Sequence, residues 1–358
     1  MRKSRMKIAV LVSGGVDSSV ALALLKEQGH DVTAFYLKIW LEDELSYLGT
    51  CPWEEDLQYA QQACDALKIS LKVVSMQKAY WDRVVSYTIA EVKAGRTPNP
   101  DVLCNQQVKF GAFYDVIGDE YEFVATGHYA QVQHDDDISY LKKAIDPVKD
   151  QTYFLAYISQ KQLSKVLFPI GNIPKAEVRE RAEAYGFDTS ERKDSQGICF
   201  LGKFKFSDFL RAHLGEEKGD LIEAETGEKV GDHNGFWFYT IGQRQGIGLS
   251  AGPWYVVSKN PDKNQVIISR NYEQIEQAKQ GMVVQKMNWL SSEPTEFGNI
   301  EVKFRHGPKI HKAQVEIVGG AVKITLQEKS SQGIAVGQFA VLYRGEICLG
   351  GGIIDEVF

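Results

Sequence analysis

The first 130 residues alternate short apolar runs with longer segments whose apolar positions recur at helical spacing. The run IAVLV at 8–12 is typical of a buried strand, whereas the apolar positions between 54 and 67 fall on one face of a helix. The pattern predicts strands at 7–13, 32–40, 71–75 and 123–126 and helices at 17–28, 54–67, 80–94 and 105–117. Strands separated by helices indicate a parallel α/β sheet, in which ligands bind beyond the carboxyl ends of the strands.

The pattern changes twice in the rest of the chain. Residues 151–215 are mostly helical, with helices predicted at 160–167, 175–185 and 206–214. From Gly219 short β runs alternate with glycine-rich turns, and from Gly281 the alternation is typical of a small β-barrel. We therefore predict an α/β catalytic domain at 1–215, a small β-rich central domain at 216–280 and a C-terminal β-barrel at 281–358.

Composition supports a multidomain globular protein. The chain has 358 residues, 44% hydrophobic and 25% charged, and is too long for one typical core. The first apolar run ends at Val12, too early for a signal peptide, and no window is long enough to cross a membrane, so we predict a cytoplasmic protein. Five cysteines without CxxC spacing predict neither a disulfide framework nor a metal site.

Charge adds little by itself. The net charge of −6 argues mildly against a generic nucleic-acid coat protein, because phosphate binding uses lysine and arginine. The stretch 302–312 is basic and contains no acidic residue, and charge alone explains it as a solvated strand edge kept soluble by lysines. A local basic face that binds nucleic acid stays compatible with both features.

The segment SGGVDSS at 13–19 joins the first predicted strand to the first predicted helix. Gly14 and Gly15 let the backbone approach a ligand closely, and the free N–H groups and dipole of a helix N-terminus favour an anion. The segment matches neither a Walker A motif nor GxGxxG, but it resembles the loop of the ATP pyrophosphatases, which cleave ATP between its α and β phosphates. The plain alternative is a turn in which Asp17 or Ser18 caps the helix.

Two cysteines lie in predicted loops. In GRTPNPDVLCN (95–105) the two prolines predict a stiff loop, and if Asp101 caps the next helix, Cys104 lies where the helix dipole lowers a thiol pKa. Cys199 lies in KDSQGICF among basic residues, which also favour a thiolate. An inert, buried thiol explains either cysteine taken alone, but beside a nucleotide loop the pair indicates sulfur transfer to an activated carbon.

Seven segments resemble, in order and spacing, those of the bacterial tRNA-specific 2-thiouridylase family over nearly the whole chain. They are SGGVDSS, GRTPNPDVLCN, ATGHYA, DPVKDQTYFL, KDSQGICF, YTIGQRQGIG and CLGGGII. The pair PDVLCN and GICF separates this family from other ATP pyrophosphatases. The resemblance implies a PP-loop domain of the adenine nucleotide α hydrolase type and 2-thiolation of the wobble uridine in the tRNAs for Lys, Glu and Gln. It also implies ATP, Mg²⁺, the anticodon stem-loop as partner, persulfide sulfur from a desulfurase or relay protein, and no membrane.

The resemblance also assigns roles to residues. Cys199 would carry the persulfide, and Cys104 would either attack it and close a Cys104–Cys199 disulfide or reduce it to sulfide. Asp101 would be the general acid/base for a flipped-out base. ATP would be bound by Leu11, Val12, Ser13, Gly14, Gly15, Val16, Asp17, Ser18, Leu37 and Gly127. The target base or tRNA would be contacted by Asn99, Pro100, Asp101, His128, Lys149, Asp150, Gln151, Arg305, His306 and Gln338. The family often has tyrosine at the position of His306 and methionine at that of Leu37.

Three alternatives stay open at this point. The chain could be another adenylating ATP pyrophosphatase, such as an amidotransferase-coupled synthetase or a lysidine-type ligase, which needs no cysteine pair. It could be a non-catalytic module that binds ATP and tRNA. In a third variant the function is kept but Cys104, Cys199 and Asp101 hold an iron–sulfur cluster. We also expect the segment 197–200 to be mobile, because Cys199 must receive sulfur outside the site and deliver it inside.

Overall fold

A computed structural model describes residues 5–39, 53–135, 137–189, 192, 205–330 and 332–358. Cys51, Cys199, the 41–52 segment and the predicted mobile segment 197–200 therefore lie outside the described residues. None of the helices in the described ranges has the length and apolarity that a bilayer crossing requires.

The N-terminal part is a parallel sheet with helices on both faces. Its strand order is β3-β2-β1-β4-β7, and every neighbouring pair is parallel. The strands are β1 (Lys7–Leu11), β2 (Asp31–Lys38), β3 (Leu71–Ser75), β4 (Phe123–Ala125) and β7 (Val166–Leu167). Successive side chains of β1 point to opposite faces of the sheet, so this strand contributes to two hydrophobic cores. Ala9 and Leu11 pack on one face, and Ile8 and Val10 pack on the other.

Most of the helices belong to this domain. They are α1 (Val16–Glu27), α2 (Trp53–Ala66), α3 (77–93), α4 (100–117), α5 (Thr152–Leu155), α6 (Gln160–Leu163), α7 (Lys175–Ala184) and α8 (Phe206–Leu214). In α3 the stretch Trp81–Val85 is π-helical, in α4 so is Cys104–Ala112, and a 3₁₀ turn follows at Gly118–Glu120. The prediction of a helix to residue 167 is wrong, since α6 ends at Leu163 and β7 joins the sheet beside β4.

The central domain has a four-stranded sheet in the order β10-β11-β8-β9. Its strands are β8 (Gly219–Glu223), β9 (Lys229–His233), β10 (Tyr255–Asn260) and β11 (Gln265–Ser269), with a 3₁₀ turn at Phe236–Phe238 and helix α9 (Tyr272–Ala278). Strands β8 and β11 are parallel, and the other pairs are antiparallel.

The C-terminal part is a closed antiparallel barrel. Its strands are β12 (Gly281–Trp289), β13 (Ile300–Lys303), β14 (His311–Val318), β15 (Ala321–Leu326), β16 (Phe339–Arg344) and β17 (Ile347–Val357), and pairing of β12 with β17 closes it. A hairpin of β5 (Ala130–Asp135) and β6 (Ile138–Lys143), which the sequence pattern did not predict, extends this sheet through β6 and β17. The barrel is therefore hydrogen-bonded directly to the N-terminal domain.

Candidate active site

The segment 13–19 forms a tight loop between β1 and α1. Gly15 is the N-cap residue of α1, with φ −92° and ψ 156°. The Ser18 hydroxyl donates to the Gly15 carbonyl oxygen (3.0 Å), and the Ser13 N–H donates to Ser18 Oγ (3.2 Å). Neither Asp17 nor Ser18 caps the helix, so the plain capping alternative is wrong. The loop is shaped by its own serines, and its N-cap carries no side chain that would cover the first amides of α1.

The loop after β4 is pressed against this turn. A Cβ atom on Gly127 would lie 2.6 Å from the Ser18 nitrogen, a distance that side chains do not adopt, so only glycine fits. The next residue, His128, lies between this contact and helix α4. Its Nδ1 is 2.7 Å from Thr126 Oγ1, and its ring lies 6.3 Å from that of Phe110 on α4. Residues 126–128 therefore connect the 13–19 loop to α4.

Two cations that the sequence pattern did not single out reach the 13–19 loop. Lys175, the first residue of α7, is buried, and its Nζ donates to both Asp17 carboxylate oxygens at 2.7 and 2.9 Å. The Tyr129 hydroxyl donates to the same carboxylate at 2.8 Å. Arg192 donates to the Gly14 carbonyl oxygen at 2.8 Å and to the Asp56 carboxylate. Their positive charges suit a phosphate ligand.

Helix α4 begins at Pro100, five residues before the predicted start. Asn99 caps it, since its Oδ1 accepts from the Val102 N–H at 3.3 Å, and Pro100 takes the first helical position, where its missing N–H costs nothing. The predicted loop therefore ends at Asn99 instead of continuing to residue 105, and the condition that Asp101 caps the helix is not met. Asp101 is free for another role, and its Oδ1 is buried without a hydrogen-bond partner among the described residues.

Cys104 lies one turn further along α4 and is 0% exposed. Burial raises the pKa of its thiol to about 11, although the nearby charge of Lys109 lowers it. The expectation of a lowered thiol pKa is therefore wrong for the described conformation, because burial is the largest influence on the thiol and raises its pKa. Lys109 follows Cys104 by five residues, and the π-helical stretch places residues at this spacing on the same side of the helix.

His128 is neutral in this environment. Burial lowers its pKa well below 6.5, and the charge of Lys109 lowers it further. Its ring packs edge-on against Phe168 at a centroid distance of 5.9 Å. It is therefore a packed, uncharged side chain between the 13–19 loop and α4.

The barrel reaches the same region through Gln338. Its Nε2 donates to the Thr97 and Pro98 carbonyl oxygens at 3.0 and 3.2 Å. Its Oε1 accepts from Asn99 Nδ2 at 3.4 Å and lies 3.3 Å from the Tyr153 hydroxyl. The amide is therefore bonded to the protein on all sides in the described conformation.

Several of the residues predicted to contact tRNA are likewise held by protein groups. Arg305 donates to the carbonyl oxygens of Gly333 (2.7 Å) and Ile241 (2.9 Å), which joins the barrel to the central domain. Asp150 is buried and accepts from Lys303 Nζ at 3.0 Å, so its carboxylate does not face solvent. The expectation that 302–312 is only a solvated edge is therefore wrong at Lys303.

The remaining predicted residues differ in accessibility. His306 is exposed, and its ring lies 4.6 Å from that of Phe154. Lys149 and Gln151 are half-buried, and Gln151 Oε1 accepts from the Tyr129 N–H at 2.9 Å. Leu37 is half-buried at the end of β2. Cys348 is buried in the barrel, and Cys64 is buried on α2.

The fold and the site define a class: a nucleotide-binding α/β domain of the HUP type that carries two β domains. Family models match all three parts, described as a tRNA methyl transferase HUP domain (6–203), a tRNA methyl transferase PRC-barrel domain (207–270) and an aminomethyltransferase beta-barrel domain (279–354).

Full-length relatives specify the family. The chain is 46% identical to the tRNA-specific 2-thiouridylase of Parabacteroides distasonis, covering 98% of this chain and 99% of that protein. It is 46% identical to that of Bacteroides thetaiotaomicron (98% and 100%) and 42% identical to that of Porphyromonas gingivalis (98% and 99%). The chain belongs to the tRNA-specific 2-thiouridylase family.

Proposed function

We propose that this protein is an ATP-dependent enzyme that exchanges O2 of the wobble uridine for sulfur in the tRNAs for Lys, Glu and Gln. One observation carries the proposal: the chain is 42–46% identical to thiouridylases from end to end. The described site is consistent with it, because the loop after β4 contacts the 13–19 loop and also reaches, through His128, the ring of Phe110 in the middle of α4, the helix that carries Asp101 and Cys104. A methyl transfer, which two of the family-model descriptions name, has no support in full-length relatives named as thiouridylases.

The 13–19 loop is the proposed site for ATP. Its main chain, with Lys175 and Arg192 beside it, would bind the phosphates, and the main chain near Leu37 and Gly127 would bind the adenosine. Within the described ranges no group of three His, Cys, Asp or Glu side chains could hold a metal. Mg²⁺ would bind through the ATP phosphates and would neutralise charge on the departing pyrophosphate.

The start of α4 is the proposed site of the chemistry. Asp101 has a buried carboxylate oxygen with no hydrogen-bond partner among the described residues, and it would exchange a proton with the flipped-out uracil. The persulfide of Cys199 would attack C2 through its terminal sulfur, and AMP would leave with the former O2. The Cys104 thiolate would then attack Cys199 Sγ, which releases the 2-thio base and forms a Cys104–Cys199 disulfide. The alternative, in which Cys104 reduces the persulfide to sulfide, uses the same two thiols.

The RNA surface is proposed from what stays accessible. The exposed His306 ring beside Phe154 offers an aromatic face on which a base can stack. The resemblance to the family assigns Lys149 to the same RNA contact. The contacts of Asn99–Asp101 with the target base and the division of the chain at residues 216 and 281 are further parts of this proposal. A desulfurase or relay protein would load Cys199.

The test is a thiolation assay on unmodified tRNA with a wobble uridine, ATP, Mg²⁺ and a persulfide donor, read by nucleoside mass spectrometry. Wild-type protein should form 2-thiouridine, and Cys104→Ser and Cys199→Ser should not. Cys348→Ser is the control, since that thiol is buried in the barrel. Pyrophosphate release without any thio-nucleoside would refute the proposal in favour of a different adenylating enzyme. Activity that requires anaerobic reconstitution with iron would show that the enzyme uses an iron–sulfur cluster in place of the persulfide.

A further inference from the structure

Helix α4 departs from regular α-helical geometry at the proposed site of the chemistry. Residues Cys104–Ala112 are π-helical, a geometry in which hydrogen bonds join residues five apart instead of four. A Cβ atom on Gly111 would lie 2.7 Å from the Gln106 carbonyl oxygen, closer than side chains approach, so this wide turn needs glycine there. Because π-helical turns are rare and are frequent at functional sites, we asked what holds this one in place.

Side chains from two neighbouring helices hold the wide turn from outside. Gln162 of α6 donates through Nε2 to the carbonyl oxygens of Gln106 (2.8 Å) and Phe110 (2.6 Å). Arg83 of α3 donates to the Gln107 carbonyl oxygen at 3.1 Å. Three main-chain acceptors of the π-helical segment thus have side-chain donors, which stabilise its irregular ladder of hydrogen bonds.

The orientation of the Gln162 amide is fixed by its own helix. Its Oε1 accepts from the Ser159 N–H at 2.7 Å, and the Gln162 N–H donates to Ser159 Oγ at 3.2 Å, which forms a capping box. With the oxygen held there, the Nε2 group faces α4, and each of its two hydrogens has an acceptor. The amide therefore binds the π-helical segment through its donors alone.

The π-helical geometry decides where Lys109 lies. Residues five apart are separated by about 140° around a regular α-helix, whereas the π-helical turn brings positions 104 and 109 to the same side. The charge of Lys109 lowers the pKa of the Cys104 thiol and that of His128, so its ammonium group lies near both side chains. The wide turn therefore keeps a cation beside the thiol.

We propose that Gln162 is a positioning residue that holds α4 in its π-helical geometry and thereby keeps Lys109 beside Cys104. The inference rests on the proposed function, in which the Cys104 thiol loses its proton and the thiolate attacks Cys199 Sγ. Lys109 stabilises this thiolate by its charge, and Gln162 acts on the reaction only through the helix. Without the two Gln162 donors the segment would relax toward α-helical geometry, which turns Lys109 away from the thiol.

The test is a double-mutant cycle between Gln162→Leu and Lys109→Met. Leucine removes the amide donors and keeps a side chain of similar size. Gln160→Leu is the matched control, because Gln160 is a half-buried glutamine of the same helix. Its amide bonds the main chain of Ser139 and Leu290 instead of α4.

The first readout is the rate of Cys104 alkylation by iodoacetamide at pH 9, resolved by peptide mass spectrometry in protein without ATP or tRNA. We expect Gln162→Leu to slow it about tenfold, as Lys109→Met does, because a nearby opposite charge shifts a pKa by about one unit or more. In the Lys109→Met background the leucine should change the rate less than about twofold, since the cation that it positions is gone. Gln160→Leu should match wild type in both backgrounds. Equal slowing in both backgrounds, or faster alkylation in Gln162→Leu, would overturn the inference.

The second readout is catalysis. The turnover number for thiolation at pH 8 should fall in Gln162→Leu by a similar factor, because the thiolate is less populated. The KM for ATP and the Kd for tRNA should change less than about threefold, since the substitution removes no contact with either ligand. Weaker tRNA binding with an unchanged alkylation rate would show that Gln162 serves the RNA surface and would overturn the inference.

Two further outcomes are decided by the same design. If Gln162→Leu loses its circular-dichroism signature, Gln162→Glu takes its place, because glutamate also serves in a capping box while it removes the donors. The added charge is controlled by the same change in the Lys109→Met background, and equal slowing in both backgrounds overturns the inference. If wild-type protein forms no 2-thiouridine, the proposed function fails, while the alkylation cycle still decides whether Gln162 positions Lys109.

Discussion

The buried ion pair between Asp150 and Lys303 gives the sharpest prediction about how the barrel is attached. The side chains are 2% and 6% exposed, and Lys303 Nζ lies 3.0 Å from Asp150 Oδ2. Asp150 also accepts from the Ala144 N–H at 3.2 Å and from the Thr152 hydroxyl. Lys303→Met removes the only cation paired with this carboxylate among the described residues, which leaves a buried charge held by neutral donors.

The magnitude follows from that burial. Breaking a buried pair by removing one partner costs about 3–5 kcal/mol, which corresponds to about a 100-fold or larger change in an opening equilibrium. Lys143 and Glu301 supply a matched control, because this pair joins the same two domains at 3.2 Å with side chains 24% and 33% exposed. Lys143→Met should therefore cost only about 0–1 kcal/mol.

The assay is native-state hydrogen exchange in peptides of β6 and β17, where the two domains pair. Lys303→Met should speed exchange there far more than Lys143→Met, and the double variant Asp150→Asn/Lys303→Met should be less unstable than the sum of the two single variants. A cost for Lys303→Met below about 1 kcal/mol, equal to that of the control, would refute the view that Asp150 anchors the junction.

Three further predictions concern the site. With a pKa of about 11, only about one thousandth of Cys104 is ionised at pH 8, so the rate of its alkylation should rise about tenfold per pH unit between pH 8 and 10. The rate should be slower in Lys109→Met, because the charge of Lys109 lowers the pKa of the thiol. A rate that reaches a plateau below pH 9 would contradict this. The pKa of His128 is well below 6.5 in the folded protein, so the unfolded chain binds more protons there and stability falls as the pH drops below about 6.5. Thermal unfolding between pH 7 and 5 should show a smaller loss for His128→Asn, and an equal loss would refute the argument. Lys175→Met should raise the Kd for ATP about tenfold or more, because it removes a cation and exposes the Asp17 charge to phosphates. Calorimetry should find no such change for the exposed Lys161→Met, and equal effects would contradict a local role.

Local patterns predicted much of the fold. The apolar run at 8–12 and the glycines that follow it predict a strand, an anion-binding turn and a helix. These elements are predictable because the burial of a strand and the freedom of a glycine backbone depend on residues close together in the sequence. The hairpin at 130–143 escaped this reading, since β5 is largely polar and half-exposed and its partner is an edge of the barrel sheet. Its place depends on β17, about 200 residues further along the chain.

The site was predictable in its motifs and not in its contacts. Proline was read as a helix breaker at 98–100, whereas Pro100 starts α4 because Asn99 caps it. The burial of Cys104 and Asp150 and the pairing of Gln338 with Asn99 depend on residues distant in sequence, and no periodicity encodes them. Lys175 resembled an ordinary lysine at the start of a helix, and only packing brings it to Asp17.

The most direct test of the central claim is a single turnover with protein loaded beforehand with persulfide, without any external sulfur donor. Addition of ATP, Mg²⁺ and unmodified tRNA should form one 2-thiouridine per loaded protein together with one pyrophosphate. Release of pyrophosphate without 2-thiouridine, or sulfur at a position other than C2 of the wobble base, would contradict the account.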